Sequence, residues 1–277
     1  MKNRTIKRLL AMTLAALLPC AAALAADEGQ KAGNWDLVRT SLFGDRPIGD
    51  NDGTVIVLEA PDRAEDAAIV PLSIKTRLTQ TPDRFIKKVY LIIDKNPSPV
   101  GAIFTFTPDS GRADIDTRVR IEEYSTVRAI AEMNDGKLYM ASKYVKAAGG
   151  CSAPAGKDLE AAMARVGKMK IKLDDNLKAG EPSIAQLMVS HPNVSGLAMD
   201  QLTRLYAPPQ FVRKIDVSYA GKPIMSAEVD FTISEDPNFR FYFVPKQGGE
   251  MKAEVVDSKD LKFSSSVQVV LGKRPGS

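Results

Sequence analysis

Residues 147–156 read Ala-Ala-Gly-Gly-Cys-Ser-Ala-Pro-Ala-Gly, ten residues with neither a large side chain nor a charge. Cys151 sits in the middle. A thiol is nucleophilic only as its thiolate, and as a thiolate it can form disulfides, persulfides or thiosulfonates. Gly149 and Gly150 before it, and Ser152 after it, make a flexible arm on which such a sulfur could swing or enter a cleft. Lys146 and Lys157 flank the stretch and would favour the ionised form. The alternative is an inert, buried cysteine behaving as a small core hydrophobe. The neighbours argue against it, since no flanking apolar side chain can build a core around the sulfur.

His191 is the only histidine, in Ser190-His191-Pro192-Asn193. It is the one possible auxiliary base for Cys151, in a dyad that would still need a third, orienting group. Read without that partner, it is a turn residue whose ring bonds the backbone. One histidine and one cysteine outside the leader cannot supply a zinc or iron–sulfur ligand set, so no metal and no cofactor is expected. Asp50-Asn51-Asp52-Gly53 has the composition of a calcium loop without its remaining ligands, and reads as a turn. No Gly-x-Ser-x-Gly, phosphate loop or dinucleotide fingerprint is present, and no catalytic residue is assigned. Arg118 and Arg120 are expected on a solvated strand face.

The other cysteine, Cys20, falls in a leader. Residues 1–25 carry Lys2, Arg4, Lys7 and Arg8, then the apolar run Leu9–Leu18, and end in Ala23-Leu24-Ala25. That is the pattern of a secretory signal peptide, too short for a membrane span, and it predicts a periplasmic protein. The whole chain of 277 residues has 38 bases and 34 acids. Removing the leader's four bases leaves 34 against 34, a net charge of zero. A basic field for nucleic acid or anionic lipid is excluded as the main theme, and membrane insertion is not expected. With a single remaining thiol, no internal disulfide can form.

The elements that must position Cys151 are strands. A short helix is predicted over Trp35–Phe43, stopped by Gly44. Period-two alternation follows: Val70, Leu72 and Ile74; the run Phe85–Ile93; Ala102, Phe104 and Phe106; Ile115, Val119 and Ile121. Asn134-Asp135-Gly136 separates Val127–Met133 from Leu138–Val145 as a hairpin. After residues 149–157, read as a mobile linker, Leu159, Ala162, Met163 and Val166 give one short helix ended by Gly167. A second strand series then runs from Met169 to Leu271, with alternation at Met225–Ile233 and at Phe239, Phe241 and Phe243. The fold class is all-β: two immunoglobulin-like antiparallel sandwiches, 34–148 and 158–277, joined by the cysteine-bearing linker and paired within the chain.

The segment Lys143-Tyr144-Val145-Lys146-Ala147-Ala148-Gly149-Gly150-Cys151 resembles the end of SoxY, the sulfur carrier of periplasmic thiosulfate oxidation. Val70-Pro71-Leu72-Ser73-Ile74 and Ile92-Ile93-Asp94-Lys95-Asn96-Pro97 are similar to the same family. Ser190-His191-Pro192-Asn193, Ser195-Gly196 and Phe211–Tyr219 are similar to SoxZ, its partner. The fused order, and the linker's Ser152-Ala153-Pro154, look most like SoxYZ-like carriers associated with quinoprotein dehydrogenases. In SoxY the cysteine lies in a terminal Gly-Gly-Cys-Gly-Gly arm; here Ser152-Ala153 replaces the last two glycines and a second domain follows, so the arm is tethered at both ends.

The resemblance implies a non-catalytic carrier whose Cys151 holds a sulfur-containing group for partner enzymes. Those partners would be Sox-type enzymes, a quinoprotein dehydrogenase or a c-type cytochrome. From another class comes a docking or assembly module for a quinoprotein dehydrogenase, with the thiol incidental. A thiol enzyme using Cys151 and His191 is the third reading.

Overall fold

A computed structural model describes residues 34–49, 51, 53–154, 159–200 and 203–273. The leader, Cys20 and Lys157 lie outside the described residues. In chain order the elements are α1 (Trp35–Phe43), β1 (Ile48–Gly49), β2 (Ile56–Glu59), β3 (Val70–Thr76), β4 (Ile86–Ile93), β5 (Val100–Phe106), β6 (Ile115–Val119), β7 (Ser125–Met133) and β8 (Leu138–Val145). There follow α2 (Leu159–Met163), β9 (Met169–Leu173), β10 (Asn176–Leu177), β11 (Ser183–Val189), β12 (Val212–Tyr219), β13 (Lys222–Val229), β14 (Asn238–Phe243), β15 (Gly249–Asp257), β16 (Lys262–Val269) and β17 (Gly272–Lys273). The protein is mostly β, as the alternation requires.

Strand after strand buries every second residue. In β3, Val70, Leu72, Ile74 and Thr76 are buried between exposed or half-buried neighbours, and β11 repeats the pattern from Ser183 to Val189. β4 departs from it, with Val89 to Ile93 buried without interruption. Its second face is covered by α1: Phe43, Tyr90, Ile92, Ile130 and Leu138 form a separate apolar cluster, against which Trp35, Val38 and Leu42 pack. A strand covered on both faces reads as a continuous apolar run. Gly44 ends the helix, its N–H donating to the carbonyl of Thr40 at 3.0 Å.

Two sheets carry the sandwich halves, and both run across the join. The larger has the order β1-β8-β7-β4-β5-β13-β12-β15-β16, the smaller β2-β3-β6-β14-β11-β9. In the first, β5 pairs antiparallel with β13, Phe106 opposite Met225 and Ala102 opposite Val229. In the second, β6 meets β14 with Asp116 opposite Arg240. The two halves therefore share their backbone ladders and a single large core, in which Phe104 of β5 meets Phe239 of β14 edge to face at 6.1 Å. The described residues make one compact unit. The alternation read as unbroken over Met225–Ile233 leaves the sheet after Val229, where Asp230 accepts the Thr232 N–H at 2.7 Å and turns the chain.

Candidate functional site: a docked cysteine arm at the seam

The arm begins where β8 ends. The N–H of Lys146 donates to the Asp62 carbonyl at 2.9 Å, that of Gly149 to the Glu122 carbonyl at 2.7 Å, and that of Gly150 to the Ile121 carbonyl at 2.9 Å. Ile121 in turn donates to Ala67 at 2.9 Å. The arm thus lies as an extra backbone layer on the loop between β6 and β7. Gly150 is there because nothing larger fits: a Cβ would stand 2.0 Å from the Ala67 carbonyl oxygen. Gly149 has φ of +80°, a conformation that side chains disfavour.

Side chains complete the docking. One oxygen of the Glu122 carboxylate accepts the N–H of Cys151 at 2.8 Å and of Ser152 at 3.0 Å, and the other accepts the Ser152 hydroxyl at 2.8 Å. From the second half, the Ser195 hydroxyl donates to the Cys151 carbonyl at 2.6 Å. Arg120 reaches both sides, its Nη1 donating to the Gly150 carbonyl at 3.3 Å and its Nη2 to those of Pro192 and Asn193, each at 3.4 Å.

Cys151 is 0% exposed. The expectation of an exposed thiol is corrected accordingly: Cys151 and Gly150 are buried, while Gly149 is half-buried and Ser152 stays exposed. The burial comes with docking against Glu122 and Arg120 of one half and Ser195 of the other rather than from sequence neighbours, which is why the local composition misled. Burial also pushes the thiol up to about 12, with Glu122 and Asp230 adding to the rise and Arg120 opposing it. The thiolate-favouring role given to Lys146 does not appear; Glu122, Arg120 and Asp230 are the charges that act. In this pose the sulfur is protonated and not nucleophilic at neutral pH. Asp230 is itself raised to about 6, chiefly by its own burial.

His191 is likewise buried, and it is occupied elsewhere. Its Nδ1 accepts the Asn193 N–H at 3.0 Å, and its Nε2 stands 3.5 Å from an Asp257 oxygen without a hydrogen bond. Burial is the largest influence on the ring and lowers its pKa, so it is neutral at pH 7. Among the described hydrogen bonds none joins it to Cys151, so the dyad geometry is not formed. Its neighbour Asn193 ties the turn together, donating to Ile233 and accepting from Val212 at 3.0 and 3.1 Å. The bland reading of His191, a turn residue bonded to backbone, matches this arrangement.

Arg120 is 1% exposed, against the expectation of a solvated face. The alternation put it in phase with Asp116 and Arg118, which stay half-buried, whereas Arg120 itself is covered by the Pro192–Asn193 backbone of the other half. Sequence reasoning missed Arg120, Glu122 and Ser195 as site residues. Arg120 and Ser195 lay in stretches already singled out, but for other reasons, and no local signal marks a residue whose role depends on contact across the seam.

The family comparisons divide the chain at the same place. The family model of the sulfur oxidation protein SoxY matches residues 39–151 and that of the sulphur oxidation protein SoxZ matches residues 170–268. The chain is a SoxY domain fused to a SoxZ domain. The SoxY match closes on Cys151 itself. Among solved structures, the sulfur carrier protein SoxY from Chlorobium limicola f thiosulfatophilum is similar at 26% identity, over 41% of this chain and 90% of that one, with a TM-score of 0.34. Superoxide reductase (neelaredoxin) from Ignicoccus hospitalis is similar at 18% identity, over 36% of this chain and 94% of that one, with a TM-score of 0.31. No curated protein matches the chain.

Proposed function

We propose that this SoxYZ-like fusion is a non-enzymatic periplasmic carrier that loads a sulfur-containing group on Cys151 and hands it between partner enzymes. The observation that carries the reading is the place of Cys151: it closes the SoxY match and sits on a Gly-Gly arm held at the seam by hydrogen bonds. Hydrogen bonds to backbone can be exchanged for water at modest net cost, so an arm held this way can leave its seat while the sheets stay intact. The docked pose, with a buried neutral thiol, is the resting state. Loading proceeds from the undocked arm, where the thiol regains its ordinary acidity. Because both ends of the arm are tethered, at β8 and at α2, a partner receives it as a loop. The partners on this reading are Sox-type sulfur-oxidation enzymes, with a quinoprotein dehydrogenase and its c-type cytochrome as the finer possibility that the fused order raises.

Cys151→Ser tests the reading in cells lacking the native chain. A carrier variant folds, accumulates normally and fails to support sulfur oxidation. One observation favours a second reading: full burial of Cys151 is also what a docking module with an incidental thiol would have. In that case Cys151→Ser supports sulfur oxidation at the wild-type rate, and only surface substitutions matter.

A further inference from the structure

Arg120 is the largest side chain buried to this extent, and no carboxylate lies against its guanidinium. Among the described residues it forms no ion pair. Its two terminal nitrogens donate only to backbone carbonyls, and its Nε–H has no acceptor. A guanidinium cannot shed its proton as a buried lysine would, so a fold that keeps one unpaired carries a standing electrostatic cost. The same group touches the arm directly, since the carbonyl it holds at 3.3 Å belongs to Gly150, the residue before Cys151. The empty thiol beside it is neutral and returns no charge.

We propose that Arg120 is the counter-ion of the loaded carrier: with the arm docked, its guanidinium receives the anionic end of a small sulfur group borne on Cys151, a persulfide in the simplest case. This rests on the carrier reading of Cys151. A persulfide adds a single sulfur atom and one negative charge, and the Nε–H is a donor without a partner at the seam. The loaded arm therefore docks more firmly than the empty one, sheltering its reactive sulfur between the two halves. Burial draws the guanidinium towards losing its charge, while the more distant Glu235, a negative Cys151 and Asp66, in that order, act in the opposite direction.

The test uses the full mature chain and sodium tetrasulfide. The Cys151 sulfur attacks a sulfane sulfur, one S–S bond breaks, and the shortened polysulfide leaves with the thiol proton, so no further oxidant is needed. Mass spectrometry reports the persulfide, with Cys151→Ser as the control that stays unmodified. Loading is expected to raise the Tm of the wild type by about 2–4 °C or more. In Arg120→Met it leaves the Tm unchanged or lowers it, because the anion is then buried alone, and Arg120→Lys recovers part of the rise. A second measurement needs no variant: the Arg120 Nε–H resonance should shift on loading as it gains an acceptor. An equal Tm change in wild type and Arg120→Met, or an unmoved resonance should Arg120→Met fail to fold, overturns the role of Arg120 while the carrier reading stands. Absence of any adduct on Cys151 overturns both.

Discussion

The Glu122 carboxylate accepts the backbone N–H of Cys151 at 2.8 Å, and its grip extends to the N–H and hydroxyl of Ser152. An acid from the loop after β6 thus fixes the one cysteine among the described residues, and it does so through the backbone. The same acid raises the thiol pKa by its charge. Glu122 is therefore at once the clasp of the arm and a brake on the thiolate.

Glu122→Ala should release the arm. Hydrogen bonds to a charged acceptor contribute about 1.5–3 kcal/mol each, so even partial loss shifts the docking equilibrium roughly 10- to 100-fold. The measurement is the labelling rate of the native protein with a thiol-reactive dye at pH 7.5. Wild type should label slowly and the variant faster by that factor, with the far-UV β spectrum unchanged. Equal rates would mean that the clasp lies elsewhere.

Gly150→Ala should have the same consequence by a different route. The added methyl would stand 2.0 Å from the Ala67 carbonyl oxygen, so the arm cannot seat at all. Labelling of this variant should match that of denatured protein while the sheets persist. Slow, wild-type-like labelling would contradict the docked geometry.

Thiol acidity gives a pH signature. The docked thiol is raised to about 12, whereas an unfolded cysteine ionises near ~8.5. A raised folded value means that the seat's stability is complete below about pH 8.5 and is lost as pH climbs towards about 12, by up to ~1.4 kcal/mol per unit. Wild-type labelling should keep rising through pH 8.5–11, where Gly150→Ala levels off near its ordinary pKa. Cys151→Ala should remove the alkaline loss of stability.

Asp230 and His191 should titrate in opposite senses. Asp230 is raised to about 6 by burial, so the stability it contributes is present below about pH 4 and lost as pH rises to about 6. Asp230→Asn keeps an acceptor for the Thr232 N–H and should stabilise the protein at pH 7 by on the order of 2 kcal/mol, read from urea melts. His191 has a lowered pKa, so its share of stability is present above about 6.5 and lost as pH falls. His191→Ala should lower stability by about 1–3 kcal/mol at pH 7 through the unpaired Asn193 N–H, yet leave Cys151 loading intact.

Period-two patterning and turn chemistry place the strands because each depends on residues adjacent in sequence. The Val127–Val145 hairpin, the helix at Trp35–Phe43 and the alternation of β14 were all legible on that ground. The site was not. Ala147 to Gly156 carries no large apolar side chain, so local composition predicts a mobile arm, whereas the seat is made by Ile121, Glu122, Arg120 and Ser195, which are remote in sequence. Arg120 failed for the same reason: its phase along the strand is that of a solvated residue, and the cover comes from Pro192 and Asn193 of the other half.

Intact-mass measurement of the protein drawn from its own cells during sulfur oxidation tests the central claim most directly. The account predicts a discrete sulfur-containing adduct on Cys151, removed by reductant and absent from Cys151→Ser. A free thiol throughout sulfur oxidation, in a protein that nonetheless co-purifies with a dehydrogenase, would contradict the carrier and favour the docking module.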